Sequence, residues 1–266
     1  MTHSAISLGV GLGGGKAATS SGRLPSGGYE NLRSVEFDGT DDYLQIGDAS
    51  TTIQDSSSGA FSWSMWVKYS SGQPAFVMKD NATDGTGSRC FAMASFGTND
   101  VYFTTWVSGT AHYATWSNGI TTAGDGNWNH LVFVNGGTSG TKQIYFNKNS
   151  VTLGNSTTGY KSNTTSQLLS VGGGAYGGGV NYPIDGLIDE VAAWDSALSA
   201  SNVTAIYNSG VPNDLGPDGL NLSPVGYWRM GDINGGSGTS IANQGGGGDS
   251  IDGTLVNGPT YSTDIP

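Results

Sequence analysis

From Ser34 to Trp194 the chain repeats short runs of apolar residues alternating with polar ones, separated by Gly, Asn, Asp and Ser. A period of two is the pattern of half-buried strands, and punctuation at such short intervals is that of an antiparallel sheet protein. Ser34–Phe37 and Tyr43–Ile46 read as two strands joined through Asp38-Gly39-Thr40-Asp41-Asp42, an Asp-Gly signal that predicts a hairpin. Phe61–Lys68 alternates large apolar with polar and then runs apolar, and Asn127–Val134 and Gln143–Asn147 follow as strands. The apolar neighbours of Trp66 and Trp128 place both tryptophans in the core. Val101–Trp106 and Thr110–Trp116 form a hairpin through Ser108-Gly109, with Tyr102, Thr104 and Trp106 on one face.

Only one stretch reads clearly as helix. After the turn Ile184-Asp185-Gly186, the strand Leu187–Trp194 sets Leu187, Asp189, Val191 and Ala193 on one face and Ile188, Glu190, Ala192 and Trp194 on the other. Ser199 then caps a short helix carrying Val203, Ile206 and Tyr207 on one side, with Gly210 at its exit and Pro212 beyond. Farther on, Val225–Met230 and Gly253–Asn257 read as strands around the run Gly245–Gly248.

The order of these segments resembles the laminin G-like domains of the concanavalin A-like jelly-roll superfamily. The resemblance rests on Phe37-Asp38-Gly39 with Asp41-Asp42-Tyr43-Leu44, the aromatic strand around Trp63 and Trp66, Trp128 with His130-Leu131-Val132, and Gly186-Leu187-Ile188-Asp189-Glu190-Val191 before Ala197-Leu198-Ser199. It implies an all-β fold, an antiparallel jelly-roll β-sandwich with one short helix. The domain spans 34–210, the segment 211–266 completes the sandwich, and residues 1–33 form a flexible Gly-rich arm. The run Gly226-Tyr227-Trp228-Arg229-Met230-Gly231-Asp232 and the arm also resemble parts of bacteriophage and marine viral structural proteins. That likeness implies a virion component (capsid decoration, fibre or tail) present in many copies and contacting other virion proteins through the arm. The alternative it leaves open is a secreted or cell-surface lectin domain.

Composition narrows the classes of partner. The chain has 266 residues with 45 Gly, 12% charged residues and a net charge of −11. An acidic chain with ten Lys and Arg lacks the basic surface on which phosphate-backbone binding begins, which excludes nucleic acid. No apolar run has the length of a membrane span, so no membrane insertion is expected. The start of the chain has neither the basic nor the apolar region of a signal peptide. Gly9–Lys16 mimics a phosphate loop, but Ala17 stands where its hydroxyl belongs. Cys90, the one cysteine, is expected to pack as a small apolar residue and fits folding in a bacterial cytoplasm. Asn-x-Ser/Thr occurs at Asn81, Asn155, Asn163, Asn202 and Asn221, as chance allows in so Asn-, Ser- and Thr-rich a chain.

Three chemistries remain to be weighed. Retaining glycoside hydrolysis needs two carboxylates about 5 to 5.5 Å apart. The chain's Glu30, Glu36 and Glu190 are widely separated, and Asp189 and Glu190 alternate to opposite faces, so the protein is expected to be noncatalytic. His3, His112 and His130 form no triad, and the resemblance makes His130 a structural strand residue. It also implies calcium at Asp38, Gly39 and Asp189, since calcium takes several oxygen ligands; without an ion the same residues would cap a turn and bond backbone. Finally, the aromatics Tyr102, Trp106, Tyr113 and Trp116 can stack on sugar rings, such as host-surface glycans, or fill the core. Alternation alone does not say which face is inward.

Overall fold

The computed structural model describes residues 29–47, 53, 59–79, 90–107, 110–159, 168–176 and 179–266. Its strands begin with β1 (Ser34–Asp38), β2 (Tyr43–Ile46), β3 (Ala60–Tyr69), β4 (Ala75–Lys79), β5 (Phe91–Ala94), β6 (Val101–Val107) and β7 (Thr110–Trp116). A helical turn, α1 (Gly119–Ala123), leads to β8 (Asn129–Gly136), β9 (Lys142–Phe146), β10 (Asn149–Ser150), β11 (Leu169–Val171), β12 (Gly174–Tyr176), β13 (Gly179–Asn181) and β14 (Asp185–Trp194). Helix α2 (Ala200–Tyr207) precedes β15 (Gly226–Trp228), β16 (Ser240–Ile241), β17 (Gly253–Val256) and β18 (Thr260–Ser262). The expected arm to residue 28, its Gly9–Lys16 run, the Ser108-Gly109 turn, Asn81 and Asn163 lie outside the described residues.

These strands form two eight-stranded antiparallel sheets and a two-stranded ribbon of β12 and β13. The first runs β10-β9-β8-β3-β14-β1-β18, with β15 also beside β14, and the second runs β16-β17-β2-β11-β4-β5-β6-β7. The jelly-roll sandwich expected from the sequence is therefore the fold. Its core lies between the sheets, where Val35, Trp63, Met65, Leu131, Phe133, Ile188 and Trp228 meet Leu44, Phe76, Phe91, Met93, Phe103 and Val171. Trp63 stacks on Trp228 with ring centroids 6.0 Å apart. Cys90 is buried in the same core, as a small apolar residue would be.

The expected hairpin of β1 and β2 does not form. β1 pairs with β14 and β18, whereas β2 pairs with β17 and β11, so the Asp-Gly segment carries the chain from one sheet to the other. Gly39 makes that corner at φ +73°, and a Cβ on it would lie 2.7 Å from the Cβ of Asp185. A hairpin signal reports a reversal of the chain; which strand it then pairs with is decided by burial on both sheets.

The helix forms where its signals place it. Ser199 Oγ accepts from Asn202 N at 3.2 Å, and Asn202 Oδ1 accepts from Ser199 N at 3.1 Å, a reciprocal cap. Val203 and Ile206 then pack with Leu198, Leu215, Trp194, Val132, Val134 and Tyr227 on the outer face of the first sheet. Trp66 lies on that face too, stacked on Tyr207 at 5.7 Å and packed on His130 at 4.9 Å. It is 2% exposed, but its burial comes from the helix rather than from the inter-sheet core.

Trp128 is not a core residue. It precedes β8, is half-buried, and donates its indole N–H to Asp264 Oδ1 at 2.8 Å. The two tryptophans expected to behave alike should therefore differ. Trp66→Ala leaves a large cavity under α2 and is expected to cost about 3–5 kcal/mol, whereas Trp128→Ala removes one surface hydrogen bond and partial packing and is expected to cost about 1 kcal/mol. Urea titration of the two variants checks this; equal losses would contradict the placement.

Candidate functional site

Two sheets have four faces, and the two inner ones make the core. The outer face of the first sheet is closed by α2 and by residues 211–222, whose Leu215, Leu220 and Leu222 join the packing. Among the described residues, no helix covers the second sheet. Its outer face carries Ala75, Met78, Ala92, Ala94 and Trp106, with Phe96 and Tyr182 packed over them. A register shift between Ala75 and Val77 turns Phe76 and Val77 together toward the core and leaves Ala75 and Met78 outward. Small residues at Ala75, Ala92 and Ala94 make a shallow floor beneath the rings.

Four half-buried rings form a continuous row on this face. Tyr182 lies 6.0 Å from Phe96, Phe96 5.8 Å from Tyr102, and Tyr102 6.1 Å from Tyr113. Trp106 sits beneath, edge-on to Phe96 at 6.3 Å and 4% exposed. Phe96 and Tyr182 have φ of 50° and 55°, a left-handed conformation that bulky side chains adopt at a cost of about 1–2 kcal/mol. Strained backbone that aims two rings at one open surface is the kind of feature found at ligand clamps. The row continues to the edge strand β7, where Tyr113 pairs with Thr104.

The aromatics singled out in the sequence divide accordingly. Tyr102 and Tyr113 are on the row, and Trp106 is its buried support. Trp116 pairs with Val101 on the inward side, lies in the main core, and packs on Phe146 at 5.4 Å. Phe96 and Tyr182 were not anticipated. Their sequence signal is an aromatic residue at a turn, in Ser95-Phe96-Gly97 and Asn181-Tyr182-Pro183, where no strand face requires one.

The residues implied for calcium do not come together. Asp38 pairs with Asp185, and Asp189 stands four residues farther along β14, roughly 13 Å away at strand rise. Asp38, Asp41 and Asp42 do place carboxylate oxygens within 4.8 Å of one another. Two of them serve the turn itself: Asp42 Oδ2 accepts from Asp38 N at 3.1 Å and Asp38 Oδ1 from Thr40 N at 2.8 Å. Asp189 belongs to a different cluster.

That cluster corrects a second expectation, that Asp189 and Glu190 point to opposite faces. β14 bulges between Asp189 and Ala192 against β3, and Glu190 has φ 47°. The bulge shifts the alternation, so Ile188, Val191 and Ala193 all face the core while both carboxylates enter one buried polar group. Glu190 accepts from the Tyr227 hydroxyl and from Arg229 Nε at 3.1 Å, and Arg229 also donates to Asp232 at 2.6 Å and to the Glu30 carbonyl at 2.5 Å. Asp189 accepts from Asn31 Nδ2 at 2.8 Å and from Glu190 N at 2.8 Å. Tyr29 lies under the guanidinium at 4.4 Å. Residues 29–33, grouped on sequence with the arm, are thus held in the sandwich.

Both carboxylates are sealed from solvent, at 0% and 3% exposure. Ser64 Oγ and His130 Nε2 make a 2.8 Å contact, but both residues are buried and His130 Nδ1 has no partner to orient it. Burial pushes the His130 imidazole down to about 3, so it is neutral.

These features define a class: a β-sandwich with one face closed by its own chain and the other presenting a row of aromatic rings. The model of the concanavalin A-like lectin/glucanases superfamily matches residues 38–204, and the chain belongs to that family. Among solved structures, a candidate carbohydrate binding protein from Bacteroides ovatus ATCC 8483 is similar at TM-score 0.60 and 14% identity, over 88% of this chain and 60% of that longer one. The Ruminococcus gnavus IT-sialidase CBM40 is similar at TM-score 0.51 and 15% identity, over 67% of this chain and 99% of the module. At such identities the likeness concerns the fold. No curated protein matches by sequence.

Burial, then the Glu190 charge, raises the Asp189 pKa well above the usual carboxylate range. Glu190 faces Arg229, whereas Asp189 accepts only from an amide and a backbone N–H, so Asp189 is the member whose pKa is pushed further up. A folded-state pKa above the unfolded one means the folded protein keeps a proton that the unfolded chain releases. Its stabilising contribution is complete below the unfolded value, about 4, and declines as pH rises toward the folded one. Asp189→Asn should flatten that decline in thermal unfolding measured across pH; an unchanged slope would contradict the assignment.

Proposed function

We propose that this chain is a noncatalytic glycan-binding domain whose contact surface is the outer face of the second sheet. The observation that carries the reading is the row Tyr182–Phe96–Tyr102–Tyr113 on the outer face of the sheet that α2 does not cover. The apolar faces of sugar rings stack on such side chains, while tyrosine hydroxyls at the rim supply directional hydrogen bonds. Names of the structural neighbours lean the same way, one being a candidate carbohydrate binding protein and another a CBM40 bound to α2,3-sialyllactose. The noncatalytic part of the reading rests on the sealed state of the Asp189–Glu190 pair and of the Ser64–His130 contact, which leaves no substrate atom a path to either. No metal enters this reading.

Such a domain acts outside the cytoplasm, on a cell surface or on a particle that meets one. The finer reading, a virion component displayed in many copies, rests on the resemblance of Gly226–Asp232 and of the N-terminal arm to viral structural proteins. Many copies would turn weak single contacts into firm adhesion. Stoichiometric recovery of the chain in purified particles checks that part. Its absence from particles, with secretion into the medium, would favour a lectin acting alone.

The site is tested by alanine substitution. Tyr102→Ala and Tyr113→Ala should each weaken binding to a glycan panel by about tenfold, or 1.4 kcal/mol, with unchanged denaturation midpoints. Trp106→Ala should instead destabilise the fold by about 3 kcal/mol or more. If the two tyrosine variants unfold as Trp106→Ala does, the row is packing. If they bind glycans as wild type does, the contact surface lies elsewhere.

A further inference from the structure

The row has a shape and an electrostatic setting that restrict its ligand. Its rings come from separate elements that succeed one another across the sheet: Tyr182 follows β13, Phe96 follows β5, Tyr102 is on β6 and Tyr113 is on β7. Each ring touches the next at about the same separation, 5.8 to 6.1 Å, so the contact surface is a track crossing the strands rather than a single slot. It starts beside the β12–β13 ribbon and ends on the edge strand of the second sheet. A single sugar ring covers one or two of the four side chains and leaves the others wet. Gly97, at φ +80° beside Phe96, borders the same end of the track: a Cβ there would be in ordinary contact, 3.9 Å from both Tyr182 and Gln73 Oε1.

The cations of the described residues are engaged away from this face. Among the described residues, Lys68 is paired with Asp264, Lys148 lies over Tyr207, and Arg229 sits in the cluster with Glu190. Lys142 is buried, donating to the carbonyls of Thr157 and Gly159, Lys79 is buried in β4, and Arg33 bonds Leu32 beside the first sheet. The track is therefore built of aromatic carbon, tyrosine hydroxyls and the Gln73 amide, on a protein of net charge −11. An acidic sugar would meet long-range repulsion from the net charge, and among the described residues no guanidinium or ammonium lies on this face to offset it.

Resting on the glycan-binding reading above, we propose that the site takes an uncharged oligosaccharide laid along the track, and not a terminal or acidic sugar. Successive residues of such a chain can occupy successive rings. The gain comes from adding contacts in one molecule, so affinity rises with chain length until the track is full.

The experiment is calorimetric titration of the intact chain with neutral oligosaccharides of increasing length, monosaccharide to hexasaccharide, in the series a glycan array selects, with α2,3-sialyllactose alongside at low and high salt. The expected result is a rise of about tenfold or more from mono- to tetrasaccharide, little gain beyond, and no response to sialyllactose. Tyr182→Ala, at the end of the track beside the β12–β13 ribbon, should weaken the tetrasaccharide while sparing the disaccharide. Equal affinity for monosaccharide and tetrasaccharide, or a preference for sialyllactose that fades with salt, would overturn the proposal and leave glycan binding itself intact. If no member of the array binds, the glycan-binding reading falls and this inference falls with it.

Discussion

Every outward property of this protein follows from how its four sheet faces are covered. An antiparallel sandwich buries two faces for its core, and the two remaining ones must be polar, covered, or used. This chain covers one of them with α2 and the segment that follows it, through Val203, Ile206 and Leu215 against Val132, Val134, Ala192, Trp194 and Tyr227. Strands β3, β8 and β14 are consequently buried on both faces, which is why Trp63 and Trp66, on opposite sides of one strand, are both buried. The second sheet keeps an outer face of small residues with aromatic rings laid over them, and the glycan-binding reading rests there.

Closing the first sheet required more than a helix. β14 lies at the centre of that sheet, pairing with β1, β3 and β15, and its bulge at Glu190 joins the two ends of the fold. Glu190, Arg229 and Asp232 make a buried ionic group that also holds Glu30 and Leu32, the adjoining Asp189 holds Asn31, and Ser34 donates to the Asp264 carbonyl at 2.6 Å. Removing one partner from a buried charged group leaves another uncompensated, so such a group ties its members together more firmly than their number suggests. Placing both carboxylates in one sealed cluster turns what resembles paired catalytic acids into a clasp between the chain's beginning and its closing strands.

Much of this fold was legible in the sequence. Short alternating runs with Gly and Asn punctuation specify strands because the pleat puts neighbours on opposite faces. Ser199 and Asn202 specify where α2 begins because a helix start has backbone N–H groups that only nearby side chains can satisfy. What failed was everything that depends on a partner distant in sequence. The Asp38–Asp42 turn reverses the chain but says nothing of the sheet that β2 joins. Trp128 has apolar neighbours in sequence, yet in space it meets Asp264 at the surface. Alternation along β14 held until one residue too many entered at Glu190, after which every later side chain changed face.

The same division runs through the candidate site. The sequence by itself determined that aromatic residues alternate along β6 and β7, since periodicity is a local property of the backbone. Only the tertiary structure decided that Trp116 faces inward, that Trp106 is a floor, and that Phe96 and Tyr182 complete the row with Tyr102 and Tyr113. Tyr102 and Tyr113 share a hairpin and Phe96 precedes it, but Tyr182 comes from a turn far along the chain, and no local rule brings Phe96 and Tyr182 onto the same face. They become neighbours because the sheet order sets β4, β5, β6 and β7 side by side and because α2 covers the other sheet instead of this one. Which face of a strand is inward is fixed by what packs against it, and that is a property of the whole fold.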